Sequence, residues 1–322
     1  MLKILAISDI EDNQAAVELL LNDINPLDYD CALIAGDIGN KIISWVMEQM
    51  GALFPVFYVY GNKEYELEYD KKYAPNTHHV HKNIHEINGY YFSGFSGCPS
   101  NWGKNQIYVE HIEALDSRHA DTIKQLSDLK AQHNAERTDF KPFLDDYYTA
   151  DIKKSHSALT QLKKDKRAKW KKYEGLLHAQ NAALTDLKKT TQYQTYFADK
   201  KQTYKHILHL NKQSLFEMLV CQQQIDMRKT ILLTHEKFTC LNDYFPVPAL
   251  FNVFGHCGPH SHKFWRKTHF VNVTALDNNP TFYNFISGMP KAEEPGKYAV
   301  ITIGQQEVSV EFRELSQTLA FD

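Results

Sequence analysis

The sequence predicts an α/β core interrupted by an all-helical insertion, and three observations carry that expectation. Short β-rich runs separated by turn residues fill both flanks of the chain. Between Gly103 and Gly255 the only glycine is Gly175, and no proline occurs between Pro142 and Pro246. That composition suits long helices with few breaks. Charge divides at the same place. From Glu110 to Lys229 basic residues outnumber acidic ones, whereas the flanks carry an acidic excess, giving a net charge of −3 overall. The expected division is a discontinuous core over 1–109 and 229–322 and a helical arm over 110–228.

The expected strands are Lys3 to Ser8, Cys31 to Ala35, Val56 to Tyr60, Tyr90 to Ser93, Thr230 to Thr234, Phe251 to Phe254, Phe270 to Val273 and Tyr298 to Ile303. Two helices fall between the first strands. One sets Val17, Leu20, Leu21 and Ile24 on a single face, and the other runs from about Lys41 to Met50. A chain of 322 residues can bury a large core, and 43% hydrophobic with 23% charged residues is ordinary for a globular protein. Met1 to Ile7 is too short and too soon followed by charge to read as a signal peptide. No run approaches the roughly 18 apolar residues of a membrane span, so no membrane partner is expected. Cys31, Cys98, Cys221, Cys240 and Cys257 are scattered, odd in number and without C-x-x-C spacing. A disulfide framework does not fit that pattern, and a cytoplasmic location is expected.

Short polar motifs follow five of the strands. They are Ser8-Asp9-Ile10-Glu11-Asp12-Asn13, Gly36-Asp37-Ile38-Gly39-Asn40, Gly61-Asn62-Lys63-Glu64, Thr234-His235 and Gly255-His256-Cys257-Gly258. Carboxylates, an amide and imidazoles at strand ends form a set of hard and borderline donors suited to Mn²⁺, Fe or Zn²⁺, and less to Mg²⁺. The glycine before several of these residues fits a tight turn that brings backbone close to an ion.

The ordered series resembles the calcineurin-like metallophosphoesterase pattern D-x-H, G-D, G-N-H-[DE], H, G-H-x-H. The strand contexts "DCALIAGDI", "FPVFYVYGNKE", "YYFSGFSG" and "TILLTHE" are similar to segments of that family. The resemblance covers nearly all of the flanking core and none of the insertion. It implies a β-sandwich flanked by helices, an αββα arrangement, carrying the helical insertion.

The resemblance also implies two divalent ions, with Mn²⁺ expected and Fe, Zn²⁺, Ni²⁺ or Mg²⁺ as alternatives. Asp37 would serve both. One ion would be held by Asp37, Asn62, His235 and His256. The other would take Asp9 and Asp37 together with the residues at two family histidine positions, here Glu11 and Gly258. A Glu11 carboxylate can donate oxygen in place of imidazole nitrogen, but Gly258 offers no side chain. Either His260 or His262 reaches back into that gap, or both are surface histidines. Lys63 stands where many family members have a histidine near the leaving group, and its ammonium offsets charge more readily than it shuttles protons. The expected catalytic residues are Asp37, Asn62, Lys63 and His235.

The implied activity is metal-dependent hydrolysis of a phosphoester. A phosphodiester, including nucleic acid or a nucleotide, is the favoured class because the general-acid histidine is absent. The alternative is a helical interaction or scaffold protein carrying a degenerate, non-catalytic core. His78, His79, His81 and His85 form a separate cluster, and their alternation puts His79, His81 and His85 on one strand face. A metal-binding tract and a solvated edge strand both fit it.

In the insertion Tyr148, Ile152, Ser155, Leu159, Leu162, Lys166, Lys169, Tyr173, Leu176, Gln180, Ala183 and Leu187 follow alternating spacings of four and three. This is a coiled-coil-like stripe with polar interruptions. A helix from Phe143 to about Thr191 would be about 70 Å long. Two further stripes, Ile112, Leu115, Leu126, Leu129 and Tyr204, Ile207, Leu208, Leu215, Leu219, are expected to fold against it. From Lys153 to Lys172 the arm is densely basic, with Asp165 its one acid and Trp170 and Tyr173 nearby. That stretch suits either a nucleic-acid backbone or an acidic protein partner, and self-association through the helices is a third use.

Overall fold

The computed structural model describes residues 1–64, 66–138, 140–141, 164, 167–239, 245, 248–277, 296–305 and 307–315. They divide into two compact units, one comprising Met1–Glu110 with Tyr204–Asp322 and the other His111–Thr203. The first unit holds twelve strands: β1 (Leu2–Ile7), β2 (Cys31–Ala35), β3 (Val56–Val59), β4 (Thr77–His79), β5 (His85–Ile87), β6 (Tyr90–Phe95), β7 (Thr230–Thr234), β8 (Phe251–Phe254), β9 (Ser261–Trp265), β10 (Thr268–Asn272), β11 (Lys297–Ile303) and β12 (Val308–Glu314). They form two six-stranded sheets, ordered β12-β11-β1-β2-β3-β4 and β5-β6-β7-β8-β10-β9. The centre of each sheet is parallel, through β1–β2–β3 in one and β6–β7–β8 in the other; antiparallel pairs close three of the edges, and β4 adds to β3 in parallel at the fourth.

Alternation along the strands explains the layering. Leu2, Ile4, Ala6, Leu33, Ala35, Phe57 and Val59 of the first sheet meet Phe92, Ile231, Leu233, Phe251, Val253 and Val271 of the second. The intervening residues Leu5, Ile7, Ile34, Val56 and Tyr58 face outward and are covered by α1 (Gln14–Asp23) and α2 (Ile43–Gly51). Strands buried on both faces need apolar residues at every position, which is why β2 reads Cys-Ala-Leu-Ile-Ala without a polar break. Each fully buried aliphatic or aromatic side chain contributes about 1.5–3 kcal/mol. The result is the αββα sandwich.

The second sheet's outer face carries a difference from the expectation. The stripe of Ile207, Leu215 and Leu219 packs with Phe95, Trp102, Leu232, Phe238 and Phe254 of the core. The reason is polar as well as apolar: fully buried Asn211 accepts a hydrogen bond from Asn105 Nδ2 at 2.9 Å. Strands β4, β5, β9 and β12 were not among the eight expected. Val308, Val310 and Phe312 alternate with Ser309, Glu311 and Arg313 in β12, which is the signature of a half-buried edge strand.

The second unit contains α4 (Ala120–Thr138) and α5 (Arg167–Lys189), with the flanking parts of α3 (Gln106–Arg118) and α6 (Thr191–Phe216). Helices α4 and α5 run antiparallel, since Phe140 meets the Tyr173 ring while Arg137 Nε donates to Gln180 Oε1 at 2.7 Å. Gln180 is buried and also donates to Glu136 Oε2 and His133 O, so a polar residue of the heptad stripe is satisfied within the helix pair. Tyr173, Leu176, Leu184 and Leu187 are half-buried while Ala183 is exposed, a drift expected of an ordinary 3.6-residue helix. Tyr148 to Leu162, Lys166 and most of the basic stretch Lys153 to Lys172 lie outside the described residues, as does Cys240. Among the described residues no helix is long and apolar enough to cross a membrane.

The histidine cluster splits in two because the chain leaves β4 at Val80 and crosses to the other sheet. His78 and His85 pack against Phe57, whereas His79 stacks on His81. His79 Nδ1 lies 2.8 Å from Tyr69 O and its Nε2 lies 2.6 Å from Ser96 Oγ. Ser96 N donates to His81 Nδ1 at 2.9 Å, which fixes a neutral tautomer there. Burial holds the His79 pKa down to about 4 and that of His81 well below its usual range. Unfolding returns His79 to an ordinary value near 6.5. Its contribution to stability is therefore present above pH about 6.5 and lost as pH falls through about 4. Urea unfolding at pH 7 and pH 5 should show that loss, up to about 3 kcal/mol by pH 4, and His79→Gln should flatten the dependence. Parallel pH dependences for the two proteins would contradict the assignment.

Candidate metal centre

Loops from the carboxyl ends of β1, β2, β3, β6, β7 and β8 converge at one end of the sandwich, where open parallel sheets place ligand sites. The first two loops extend their strands' pairing: Asp9 N, Glu11 N and Asp12 N donate to Gly36 O, Asp37 O and Ile38 O at 2.9–3.1 Å. Asp9, Glu11, Asp12, Asp37 and His256 all take left-handed backbone angles, with φ between 52° and 75°. Each such residue costs on the order of 1–3 kcal/mol, and clustering of this strain marks a functional site. Gly61 is required sterically, because a Cβ there would overlap the Asp37 carboxylate. At Gly255 a Cβ would strike Ser8 Oγ and Asp9 Oδ2.

Within this frame four expected ligands gather around His235. His235 Nε2 lies 3.4 Å from Asp37 Oδ1, 3.1 Å from Asn62 Oδ1 and 3.2 Å from His256 Nδ1. Asn62 Oδ1 and His256 Nδ1 are themselves 3.1 Å apart. Ligands about 2.1 Å from an ion stand about 3.0 Å apart at right angles and about 3.4 Å apart in a tetrahedron. His235 Nε2, Asn62 Oδ1 and His256 Nδ1 therefore have the spacing of a coordination shell, and Asp37 Oδ1 lies beside the first of them. His235 Nδ1 lies 2.7 Å from Ala35 O, which places its proton there and leaves the Nε2 lone pair facing the cluster. One divalent ion fits.

Electrostatics agree. Asp9, Asp37, Glu64 and His235 are each at most 1% exposed. Burial opposes charge on the His235 ring, but Asp37, with Asp9 and Cys98 behind it, prevails and pushes its pKa well up. The buried carboxylates thus draw positive charge into the site, and a bound ion supplies the same charge. Asp9 Oδ2 accepts from Ser8 Oγ at 2.6 Å and from His256 N at 3.0 Å, tying the first loop to the last. The acidic and imidazole donors of Asp9, Asp37 and His235 lie within 4.8 Å of one another.

The residues expected at a second ion are arranged differently. Glu11 Oε2 forms an ion pair with Lys63 Nζ at 3.0 Å, so two of the three departures from the family pattern neutralise each other. A Cβ at Gly258 would meet Asn272 Nδ2 at an ordinary 3.5 Å. The His260 ring lies edge-on to Phe312, 5.2 Å between centroids, and His262 Nε2 is 2.8 Å from His269 Nδ1. Glu11 and His260 belong to neither of the metal-capable clusters among the described residues. Asp9 and Asp37, the other two donors expected at that ion, do lie in one such cluster, together with His235.

Two site residues were not singled out from the sequence. Glu64 appears there only as the last letter of a motif, yet its carboxylate accepts from Asp37 N at 3.1 Å, Gly39 N at 2.8 Å and Gly61 N at 2.6 Å. Burial and then repulsion from Asp37 push its pKa up to about 7, against the hydrogen bonds from Gly39 and Gly61. Cys98, expected to be one of five scattered thiols, follows β6 and lies with its Sγ beside His235 and His256. Its one sequence signal is position: it ends a strand, as the other site residues do.

Three solved structures resemble the chain at low identity. They are a predicted phosphoesterase of Streptococcus pneumoniae (11% identity, 97% of this chain and 89% of that one, TM-score 0.34), a protein of Thermus thermophilus (10%, 96% and 97%, 0.38) and the phosphopantetheinyl hydrolase of Mycobacterium tuberculosis (12%, 85% and 90%, 0.33). No curated protein sequence matches significantly. The model of the calcineurin-like phosphoesterase family matches residues 2–198, which include the Asp9, Asp37 and Asn62 motifs. With that match over more than half its length, the chain belongs to the calcineurin-like phosphoesterase family.

Proposed function

We propose that the chain is a metal-dependent phosphodiesterase working from one complete ion site. The observation that carries this reading is the set of donors around His235 Nε2: Asn62 Oδ1 at 3.1 Å, His256 Nδ1 at 3.2 Å and Asp37 Oδ1 at 3.4 Å. When bound, the metal supplies Lewis acidity, which lowers the pKa of water and offsets charge on phosphoryl oxygens. Asp37 and Asn62 would hold it from loops of the first sheet, and His235 and His256 from loops of the second. The hydrogen bond from His235 Nδ1 to Ala35 O holds that ring to one orientation. Lys63, 38% exposed at the rim, is a fixed cation that can balance charge on the substrate, with Glu11 positioning its ammonium.

With lysine at the position of the family's general-acid histidine, the leaving group must depart with little help from a proton. That favours diesters with good leaving groups over monoesters. Within this class the basic stretch from Lys153 to Lys172 favours a polyanion such as nucleic acid.

Hydrolysis of bis(p-nitrophenyl) phosphate with Mn²⁺ tests the reading. Wild type should outpace Asp37→Ala by on the order of a hundredfold or more, and should prefer the diester to p-nitrophenyl phosphate. Equal rates from wild type and variant would remove the enzymatic reading. Metal content tests the pairing of Glu11 with Lys63 separately. The wild type should retain one Mn²⁺ per chain, and the combined Glu11→His, Lys63→His, Gly258→His variant should retain two. Two tightly held ions in the wild type would refute the one-ion arrangement.

A further inference from the structure

Cys98 enters the site by a loop that the other site loops hold in place. Gly97 N donates to Tyr60 O at 2.8 Å, and Asn101 Nδ2 donates to Asn62 O at 2.9 Å. Backbone bonds in both directions between Cys98 and Asn101 close the turn. Beneath it the fully buried Trp102 packs against Phe95, and Tyr69 Oη donates to Trp102 O at 2.9 Å. The thiol is itself fully buried and is not in a disulfide. A packing cysteine would face apolar atoms. This one has its Sγ 3.6 Å from Asn62 Oδ1, 2.8 Å from Ser100 Oγ, and within 4.8 Å of the ring nitrogens of His235 and His256.

We propose that Cys98 is a further donor to an ion held by Asn62, His235 and His256, binding as a thiolate. The inference rests on the reading that this cluster holds a metal. A thiolate about 2.3 Å from an ion, beside an oxygen donor at about 2.0–2.1 Å, gives a sulfur–oxygen separation of about 3.1–3.6 Å as the angle opens from square to tetrahedral. The Cys98–Asn62 distance falls at the upper end of that range. On binding, the ion displaces the thiol proton, which passes to solvent. Ser100, whose hydroxyl can then donate to the sulfur, is the supporting partner. A sulfur ligand changes which metal the centre selects: Zn²⁺ and Fe²⁺ gain from it, while Mn²⁺ and Mg²⁺ gain little.

Cobalt reports sulfur ligation directly. Wild-type protein loaded with Co²⁺ should show a near-ultraviolet thiolate-to-cobalt charge-transfer band alongside the visible bands of bound cobalt. Cys98→Ser should lose the charge-transfer band while keeping the visible bands. Cys257→Ser, which alters the exposed thiol next to His256, should keep both. In Cys98→Ser the Zn²⁺ affinity should fall roughly tenfold or more relative to the Mn²⁺ affinity. Bound cobalt without the charge-transfer band in wild type would overturn the thiolate and leave the metal reading intact. Retention of the band in Cys98→Ser would do the same. Failure of the wild type to bind any cobalt, zinc or manganese would remove both readings together. Zinc-edge absorption on wild type alone keeps the question decidable if the variant does not fold, because a sulfur neighbour at about 2.3 Å is either present or absent.

Discussion

The site depends on a carboxylate buried behind the ligands, away from solvent. Glu64 accepts backbone N–H bonds from Asp37, Gly39 and Gly61, so one side chain closes the loop after β2 onto the loop after β3. An unpaired buried N–H costs about 1–3 kcal/mol, and three of them converge here. The arrangement also explains why Asp37 can hold a left-handed backbone: its N–H is fixed by Glu64 while its carboxylate accepts from Lys63 N. The two acids repel each other, and burial keeps the charged form of Glu64 unfavourable enough to hold its pKa near 7. The geometry of the ligand cluster is therefore maintained against its own electrostatics.

That tension indicates what the cluster is for. Buried charges persist when paired or when they coordinate metal ions. Asp9, Asp37 and Glu64 are almost fully enclosed, and His235 is the one enclosed cation-forming side chain among them. A divalent ion would balance the set. On the solvent side the same need is met within the protein, because the Lys63 ammonium sits 3.0 Å from Glu11. The substitutions at two family histidine positions are thus coupled physically: a carboxylate at Glu11 without a second ion would want a cation, and Lys63 provides it.

Much of this was legible along the chain. Alternating and continuous apolar runs located eight of the strands, since burial on one or both faces constrains every residue of a strand. Asp37, Asn62, His235 and His256 were legible because each follows a strand, and strand ends in parallel sheets gather on one side. Edge elements were less legible. β9 has four exposed residues in five, and β12 is half-solvated, so neither shows a strong apolar run. The stripe of Ile207, Leu215 and Leu219 had the right period for a helix, but period does not say which surface the helix covers.

The sequence by itself determined the α/β class, the order of the motifs, the helical character of the insertion and the strand-end placement of Asp37, Asn62, His235 and His256. These follow from local rules: side-chain period, turn residues, and the chemistry of a ligand at a strand end. Only the tertiary structure decided that Glu11 pairs with Lys63, that His260 turns to Phe312, and that Cys98 joins His235 and His256. Those outcomes depend on contacts between residues far apart in the chain. The physical reason is range. Hydrogen bonds and ion pairs act over about 3 Å, and the positions that close to that distance are set by how two sheets pack, which no local pattern encodes.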